Sequence, residues 1–598
     1  MRRLVFVFAL AAISQAQTPE SPEKALTGWM NQTAQRQLSE REAKVRAIRN
    51  VTDARARQAA VRAKILDLLG GLPDYEGPLN ARVTGSIRQS GYTIDKVIFD
   101  SLPGYHVTAN LYLPGTAGKH PAVLYAIGHW EEGKPNGQQI AGNLALKGFV
   151  VLTFDPVGQG ERVQAFNPLV QTSLLGGSTE QHTTLGAQSI WLGQSFARYR
   201  IRDAKRALDY LVSRPEVDAD RIGATGCSGG GTVTTYISAL DPRVKVAAPA
   251  CYINTFREVF PGPTGDAEQS VPGFLEAGLD IADYIELFAP KPWLIGSTRE
   301  DFFPVAGAQQ AFEEAQRWYG WFGADDRIKW AVGPGGHGTP VEVREAIYGW
   351  MQRWLGNPSA DAHDVPVNLL PDWQLWATES GQVDGRQLYE YLRDEYKRLH
   401  RPLGREALAA EIRRIATGPV AVGTDFVPVP KFDFSAGGDQ ILIRAGDRVL
   451  LFKSVVPRAF TGNWILALRA LLIGETLPGI RIRSIRAAID SLGADKVEIA
   501  ARGMPAVWAA AAALIDPRIT RLSLDRMPVS VASAFETPVL RNPLDALLFL
   551  GFALHWDLAD LLDSRAVLSD PVDWTGTIVP RRAGVRYHAT SEIETILF

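Results

Sequence analysis

Short, continuously apolar runs alternate with amphipathic stretches along the middle of the chain. A continuous apolar run predicts a strand covered on both faces, and a period of about 3.6 residues predicts a helix. We predict strands at residues 121–127, 150–154, 221–225, 244–250, 292–297 and 328–332, and helices at 142–147, 197–211, 232–240 and 306–319. This alternation is typical of a doubly wound, mostly parallel α/β sheet, in which ligands bind beyond the carboxyl ends of the strands.

The residues before the first buried strand show two other patterns. Residues 17–80 are polar and helix-prone, which predicts a helical lead-in. Residues 93–99 and 105–113 alternate between apolar and polar across a Leu-Pro-Gly turn, so two antiparallel strands should open the sheet. Residues 163–190 show no clear period and are expected to be loop-rich. The sequence therefore predicts one α/β domain over residues 81–357.

The first 16 residues have the composition of a secretory signal peptide. Arg2 and Arg3 precede a short apolar run, and small residues stand at Ser14 and Ala16. We expect cleavage near Ala16 and a secreted or periplasmic protein. No later stretch is long and apolar enough for a transmembrane helix, and the formal net charge is −2. Neither a membrane nor a nucleic acid is expected as a partner, and no obligate protein partner is inferred.

The segment Gly226-Cys-Ser-Gly-Gly230 lies between a predicted strand and a predicted helix. A G-x-S-x-G sequence in that context indicates a nucleophile elbow, a turn so sharp that only small residues fit around the serine. The helix behind the turn offers free N–H groups and the positive end of its dipole to an oxyanion. Ser228 is therefore the predicted nucleophile, and the N–H of Gly229 is the predicted first donor of an oxyanion hole.

Candidate partners for Ser228 follow later strands in the order serine, acid, histidine. His337 lies in a Gly-Gly-His-Gly loop just after the last predicted strand, where it would act as the base. Asp301 follows the strand before it and is the predicted orienting acid. Its neighbour Glu300 and the more distant Glu268 remain open as rivals. This chain order is that of the α/β-hydrolases and differs from the two best-known protease orders.

The second oxyanion-hole donor should come from the loop after the first buried strand, and we predict the N–H of Trp130. His129 in the same loop precedes the elbow, so loop packing or substrate contact suits it better than a role as base. Arg162, His182 and Trp191 lie where pocket walls come from in this kind of fold. Ordinary loop packing remains the alternative for all three.

The chain contains two cysteines, Cys227 and Cys251. Two cysteines are too few for a zinc framework and no H-E-x-x-H segment occurs, so neither a metal nor a cofactor is expected. Cys227 lies in the elbow and Cys251 ends the neighbouring predicted strand. A disulfide between them, in an oxidising compartment, and a pair of buried thiols are both open.

Five segments carry a recognisable combination of residues: Gly128-His-Trp-x-x-Gly-Lys134, Asp155-x-x-Gly-x-Gly-Glu-Arg162, the elbow, Asp301-Phe-Phe-Pro304 and Gly336-His337. This combination resembles the acetyl xylan esterase and dienelactone-hydrolase-like branch of the α/β-hydrolases, over roughly residues 60–355. The resemblance implies a metal-independent serine esterase that removes acetyl groups from plant polysaccharide or related sugars. The chain departs from the better-known acetyl xylan esterases in its oxyanion loop, Gly-His-Trp in place of His-Gly-Tyr, and in its long C-terminal extension.

At 598 residues the chain can build more than one core, and its second half contains an echo of the first. Residues 358–420 are interpreted as a connector. In residues 421–598, the segment 486–492 resembles 205–211, and Ile515-Asp-Pro-Arg-Ile519 repeats Leu240-Asp-Pro-Arg-Val244. In that register Gly503 stands opposite Ser228, while His555 and His588 lie outside any glycine loop. We predict a degenerate α/β-hydrolase-like second domain, with a coincidental similarity of helices as the alternative.

The sequence therefore predicts an exported serine esterase that hydrolyses carbohydrate esters, acetyl esters foremost, through Ser228, His337 and Asp301 and an acyl-enzyme. Two other enzymes share part of this pattern. A prolyl-oligopeptidase-like peptidase has the same order of catalytic residues, and a glucuronoyl esterase has a similar Gly-Cys-Ser elbow. A binding protein with a relic hydrolase site is the non-enzymatic alternative.

Overall fold

The computed structural model of the protein describes residues 22–262, 265–356, 361–419, 426–430, 440–453, 464–540, 544, 547–579 and 586–588. The predicted signal peptide, residues 1–16, lies outside the described residues. Within the described part of the chain, no helix combines the length and the apolar character that crossing a bilayer requires.

Two helices precede the first sheet, α1 (Pro22–Arg46) and α2 (Val51–Leu68). The side chain of Asn50 caps α2 by accepting from the backbone N–H of Asp53 at 2.9 Å. The buried Arg41 of α1 joins the lead-in to two helices of the first unit through ion pairs of 2.6 Å with Asp283 and with Glu314. The lead-in is therefore packed on the body of the protein by charged as well as apolar contacts.

The first unit, residues 82–355, alternates strands and helices. Its strands are β1 (Arg82–Gln89), β2 (Tyr92–Leu102), β3 (Tyr105–Pro114), β4 (His120–Ala126), β5 (Val150–Phe154), β6 (Phe166–Asn167), β7 (Thr172–Ser173), β8 (Val217–Cys227), β9 (Val244–Ala250), β10 (Trp293–Thr298) and β11 (Ile328–Gly333). Its helices are α3 (Gln138–Leu146), α4 (Ser178–Trp191), α5 (Ala197–Ser213), α6 (Gly229–Leu240), α7 (Phe256–Val259), α8 (Ala282–Phe288), α9 (Val305–Trp321) and α10 (Val341–Leu355).

Nine of these strands form one sheet in the order β1-β2-β3-β5-β4-β8-β9-β10-β11. The pairs β1–β2, β2–β3 and β3–β5 are antiparallel, and every pair from β5 to β11 is parallel. Successive residues of β4 enter two different apolar clusters, with Leu124 in one and Val123 in the other. Helices cover both faces, as the continuous apolar runs predict.

Most predicted elements of the first unit are confirmed within a few residues, but residues 163–190 were wrongly predicted as loop-rich. They contain the short hairpin of β6 and β7 and the whole of α4. All but two residues of α4 are buried, because the helix lies between the first sheet and the second half of the chain. Most residues of α4 are polar although the helix is buried, so its sequence has no apolar stripe at the period that identifies a helix.

The connector contains α11 (Asp372–Leu375), α12 (Leu388–Leu399) and α13 (Arg405–Ile415). The second unit, residues 426–588, contains strands β12 (Phe426–Pro428), β13 (Gln440–Ala445), β14 (Arg448–Lys453), β15 (Val497–Arg502), β16 (Ile519–Asp525), β17 (Ala566–Ser569) and β18 (Arg586–His588). Its helices are α14 (Trp464–Leu472), α15 (Leu477–Leu492), α16 (Pro505–Ile515) and α17 (Ala532–Glu536).

The second unit is also an α/β structure. Its sheet has the order β12-β14-β13-β15-β16-β17-β18 and is parallel from β15 to β18. The succession α15, β15, α16, β16 matches the succession α5, β8, α6, β9 of the first unit. The two units contact through α4, where Trp191 donates to the carbonyl of Leu547 at 3.0 Å and stacks edge-on against Trp574.

Candidate active site

Ser228 lies at the turn between β8 and α6 in a conformation that side chains rarely adopt. Its φ is 60° and its ψ is −126°. Its N–H donates to the carbonyl of Ala250 at the end of β9, and its own carbonyl accepts from the N–H of Thr232. Such a conformation costs about 1–3 kcal/mol and persists only where its surroundings enforce it. The strand, turn and helix that the sequence predicted around Ser228 are therefore present.

The glycines of the elbow are required by close backbone contacts. A Cβ on Gly226 would lie 2.5 Å from the carbonyl oxygen of Ala126, and one on Gly230 would lie 2.1 Å from the same oxygen. Neither distance is compatible with a side chain, because the atom that would have to move is backbone. The G-x-S-x-G pattern thus reflects how tightly β4 and α6 approach each other at this turn.

Asp301 and His337 lie together beyond the ends of β10 and β11. Asp301 Oδ1 accepts from His337 Nδ1 at 2.8 Å and from the N–H of Phe303 at 3.0 Å. The Asp301 side chain is buried and that of His337 is mostly buried. Because Nδ1 is the donor toward the carboxylate, Nε2 is left as the free nitrogen. Glu300, the open rival in the sequence, is exposed.

Ser228 and His337 face one cavity of about 460 Å³. Its lining residues are His129, Trp130, Thr179, Ser228, Gly265, Asp266, Gln269, Phe302, Phe303 and His337. Within the described residues, no direct hydrogen bond joins the Ser228 hydroxyl to His337. Contacts of this kind are often loose in a ligand-free site and tighten when substrate binds.

Of the two predicted oxyanion-hole donors, Trp130 lines this cavity, and Gly229 directly follows Ser228, which also lines it. Gly229 is the first residue of α6, so its N–H lies at the positive end of the helix dipole. Trp130 lies in the loop after β4, and its ring is roughly parallel to the imidazole of His337. Neither N–H has a protein acceptor in the described part of the chain. Both groups are thus available to a ligand in the cavity.

The loop that carries Trp130 is held from behind by the segment after β5. The amide of Gln159 donates to the carbonyls of Gly128 and Trp130 at 2.6 and 2.7 Å. Lys134 at the other end of the loop is fully buried against Asp155, at 2.6 Å, and Glu161. Burial alone would lower the pKa of Lys134, but the two carboxylates outweigh it and raise that pKa. These contacts explain why both loops carry a recognisable sequence.

A buried cluster of charged residues, which the sequence did not bring together, lies on the elbow side of the cavity. Glu268 Oε1 accepts from His129 Nε2 at 2.6 Å and from Arg200, and Glu268 Oε2 lies 3.3 Å from His182 Nδ1. Asp266 approaches His129 Nδ1 at 3.4 Å. Glu268 is therefore engaged with His129 and does not serve as the partner of His337.

The electrostatics of this cluster favour the charged forms of Glu268 and His129. Burial would raise the pKa of Glu268, but His182, Arg200 and His129 hold it well below its usual range. Burial would lower the pKa of His129, but Asp266 and Glu268 raise it above the usual value. Burial raises the pKa of Asp266 itself. No sequence motif signals this cluster, because its members come from a loop, two helices and the segment between β9 and β10.

Two of the three predicted wall residues lie away from the cavity. Arg162 is buried and paired with Asp203 at 2.7 Å, and Trp191 packs against the second unit. His182 belongs to the buried cluster and does not line the cavity itself. For Arg162 and Trp191, packing was thus the better of the two interpretations.

Cys227 and Cys251 are both buried thiols, with their sulfur atoms 2.7 Å apart. Of the two alternatives left open by the sequence, the structure contains the reduced pair. Two groups of residues combine metal-binding side chains, His129 with His182 and Glu268, and Cys251 with Asp301 and His337. In the first group Arg200 already donates to the carboxylate of Glu268, and a guanidinium at that position would repel a metal cation.

Part of the chain matches known proteins. Residues 87–270 match the acetyl xylan esterase (AXE1) family model, a range that contains the elbow and ends before Asp301 and His337. YtaP of Bacillus subtilis strain 168, whose name assigns it to the hydrolases, is 25% identical over 320 residues, which are 50% of this chain and all of that protein.

Among solved structures, Methylesterase BT1017 is 23% identical, with a TM-score of 0.47 over 61% of this chain and 80% of its own. A glucuronoyl esterase from Solibacter usitatus is 16% identical, with a TM-score of 0.38 over 49% of this chain and 92% of its own. The match to the family model supports a hydrolase of the carbohydrate esterase kind. The first unit thus has the α/β-hydrolase fold, and its residues 87–270 carry the resemblance to the acetyl xylan esterase family that the sequence motifs indicated.

Proposed function

We propose that the protein is a serine esterase that hydrolyses acetyl esters of carbohydrates through Ser228, His337 and Asp301. The observation that carries this proposal is the strained Ser228 at the N-terminus of α6, facing the same cavity as the Asp301–His337 pair. The order of these residues along the chain and their places at strand ends match the arrangement of an α/β-hydrolase.

The proposed reaction has two halves. Ser228 Oγ attacks the ester carbonyl carbon while its proton passes to His337 Nε2, and the carbonyl electron pair becomes an oxyanion near the N–H groups of Gly229 and Trp130. The carbon–oxygen bond to the sugar then breaks, and His337 returns the proton to the leaving hydroxyl. Water attacks the acyl-enzyme in the same way, which releases acetate and restores Ser228. Asp301 fixes the ring orientation throughout.

The lining of the cavity supports a sugar as the alcohol part of the ester. Trp130, Phe302 and Phe303 form an aromatic side, and Phe302 is half exposed above His337. Asp266 and Gln269 form a polar side. A sugar ring has apolar C–H faces and a rim of hydroxyl groups, so it needs both kinds of surface.

Release of acetate from acetylated xylo-oligosaccharides tests this proposal. We expect the full chain to release acetate and the Ser228→Ala variant to release none above the uncatalysed rate. Activity on methyl glucuronate esters but not on acetyl esters would favour a glucuronoyl esterase. Cleavage of prolyl peptides would favour a peptidase, although the described residues before β4 form only two helices and three strands. A folded protein inactive on all three substrates would leave a binding protein with a relic site.

A further inference from the structure

A second histidine–carboxylate pair borders the cavity opposite the Asp301–His337 pair. His129 and His337 both line the cavity, and each binds a carboxylate through one ring nitrogen. The proposed mechanism uses His337 as the base and assigns no role to His129. The surroundings of the two rings differ, and this difference indicates what His129 does.

His129 lies directly against the elbow. A Cβ placed on Gly229 would be 2.7 Å from Cε1 of His129 and 2.9 Å from Nε2, so ring and backbone are in contact. The N–H of Gly229 is the proposed oxyanion donor. Arg200 also contacts this part of the elbow, and its Nη2 donates to the carbonyl oxygen of Gly229 at 3.4 Å. Because the His129 side chain is mostly buried, a charge on it would act on an oxyanion at Gly229 across a short distance and with little screening.

The partners of the two ring nitrogens indicate the protonation state of His129. Nε2 lies 2.6 Å from Glu268 Oε1, and Nδ1 lies 3.4 Å from Asp266 Oδ2. Arg200 Nη1 also lies 3.1 Å from Nε2 and donates to the same oxygen of Glu268. A ring that donates toward a carboxylate from each of its nitrogens is an imidazolium. The two carboxylates thus favour the charged form of His129.

His182 and His337 are the other titratable groups near His129. His182 lies in edge-on contact with His129, its Nδ1 lies 3.3 Å from Glu268 Oε2, and its Nε2 is bound to the carbonyl of Val157 at 2.8 Å. His337 lies across the cavity and is engaged by Asp301. Among the described residues, the acids that reach the His129 ring are Asp266 and Glu268, both from the segment between β9 and β10.

We propose that His129, held between Glu268 and Asp266, carries a positive charge beside Gly229 and stabilises the oxyanion of the esterase reaction through the electric field. This inference rests on the proposed function. His129 is here a positioning and electrostatic residue, while the base remains His337. The raised pKa of His129 supports the proposal and predicts the direction of the pH dependence. The ring loses its proton only as the pH rises through that raised pKa, so turnover should fall at alkaline pH.

The test is the dependence of kcat and KM on pH for 4-nitrophenyl acetate, with the Ser228→Ala variant as the blank. We expect a His129→Gln variant to lose kcat about 10–100-fold at neutral pH, with KM within about two-fold and with the alkaline fall abolished. An Asp266→Asn variant, which removes one carboxylate from the ring, should keep most of kcat below neutral pH and move the alkaline fall about one pH unit lower.

His106→Gln is the matched control, because His106 also pairs with a carboxylate, Asp100 at 2.6 Å, but lies outside the cavity. The His106→Gln variant should show the same dependence of kcat on pH as the unaltered protein. The inference is overturned if His129→Gln retains kcat and the alkaline fall, or if Asp266→Asn leaves that fall in place. If His129→Gln does not fold, the Asp266→Asn profile decides. Turnover that survives Ser228→Ala would instead remove the proposed function itself.

Discussion

The turn at Ser228 in the first unit and the turn at Gly503 in the second are built by the same backbone hydrogen bond. Ser228 has a φ of 60° and donates its N–H to the carbonyl of Ala250, the last residue of β9. Gly503 has a φ of 69° and donates its N–H to the carbonyl of Asp525, the last residue of β16. The sequence register that set Gly503 opposite Ser228 thus matches the structure.

The loops that lead into β9 and β16 agree in the same detail. In each unit an arginine chelates the aspartate two residues before it and also reaches an aspartate of the helix before the elbow strand. The pairs are Arg243 with Asp241 and Asp209, at 2.6 and 2.6 Å, and Arg518 with Asp516 and Asp490, at 2.7 and 2.7 Å. A coincidental similarity of helices does not explain this agreement.

The units differ in the strand on the other side of the elbow. In the first unit β4 runs parallel to β8, so the loop after β4 reaches the elbow and contributes Trp130. In the second unit β13 runs antiparallel to β15, so its carboxyl end lies at the opposite end of the strands from the Gly503 turn. In the described part of the second unit, the strand beside the elbow strand therefore supplies no loop for a second oxyanion donor, and Gly503 takes the place of the serine. The turn and its hydrogen bonds belong to the scaffold, and the chemistry depends on what is placed around them.

Moving the serine from the first turn to the second should have the largest effect on activity. Ser228→Ala should reduce turnover of 4-nitrophenyl acetate by about 10⁵–10⁶-fold, because the nucleophile is gone. Adding Gly503→Ser to that variant should restore nothing, since the described strand beside this turn runs antiparallel and offers no oxyanion loop. A serine there would have to adopt a φ near 69°, which costs about 1–3 kcal/mol. Recovered turnover in the double variant would show that the second unit is catalytically competent.

The acid gives the next largest effect. Asp301→Asn should lower kcat by about 10³–10⁴-fold, because an amide no longer enforces the Nδ1–H form of His337. Glu300→Gln is the matched control and should change kcat less than about two-fold, since Glu300 is exposed. The reverse ranking of the two variants in a steady-state assay would make Glu300 the partner of His337.

The contact between the two units should contribute to the stability of both. Trp574 is fully buried and packs against Trp191 of α4. Trp574→Ala should reduce the free energy of unfolding by about 3–5 kcal/mol and shift the first unit together with the second. Trp373→Ala, at a residue that is 61% exposed, should change it by less than about 0.5 kcal/mol. If Trp574→Ala unfolds in two separate urea transitions and the midpoint of the first unit is unchanged, the two units do not share a core.

The segment between β9 and β10 should give the first unit a pH-dependent stability. Burial raises the pKa of Asp280 to about 7. A carboxyl whose pKa is raised on folding makes the folded state bind more protons, so its contribution to stability falls as the pH rises from about 4 to about 7. Three pKa units correspond to about 4 kcal/mol. The free energy of unfolding, measured in urea at pH 5 and at pH 8, should therefore fall less between the two pH values in Asp280→Asn than in the unaltered protein. An equal decline in both proteins would assign it elsewhere.

The parts of the fold that the sequence predicted are those where a local pattern and the packing agree. The strands β4, β5, β9 and β10 are buried almost throughout because both faces of the sheet are covered, and the elbow glycines follow from contacts with β4. The helix α4 was missed because it is buried against the second unit, and that contact leaves no period in the sequence. The cluster of His129, Arg200 and Glu268 was missed because three separate segments meet there only in the fold.

Covalent labelling with a fluorophosphonate probe, followed by mapping of the modified peptide by mass spectrometry, tests whether Ser228 is the nucleophile. We expect one adduct per chain, on Ser228, that is absent from Ser228→Ala and unchanged in Gly503→Ser. An adduct on another residue, or a folded protein that takes up no probe, would contradict the assignment of Ser228 as an activated nucleophile.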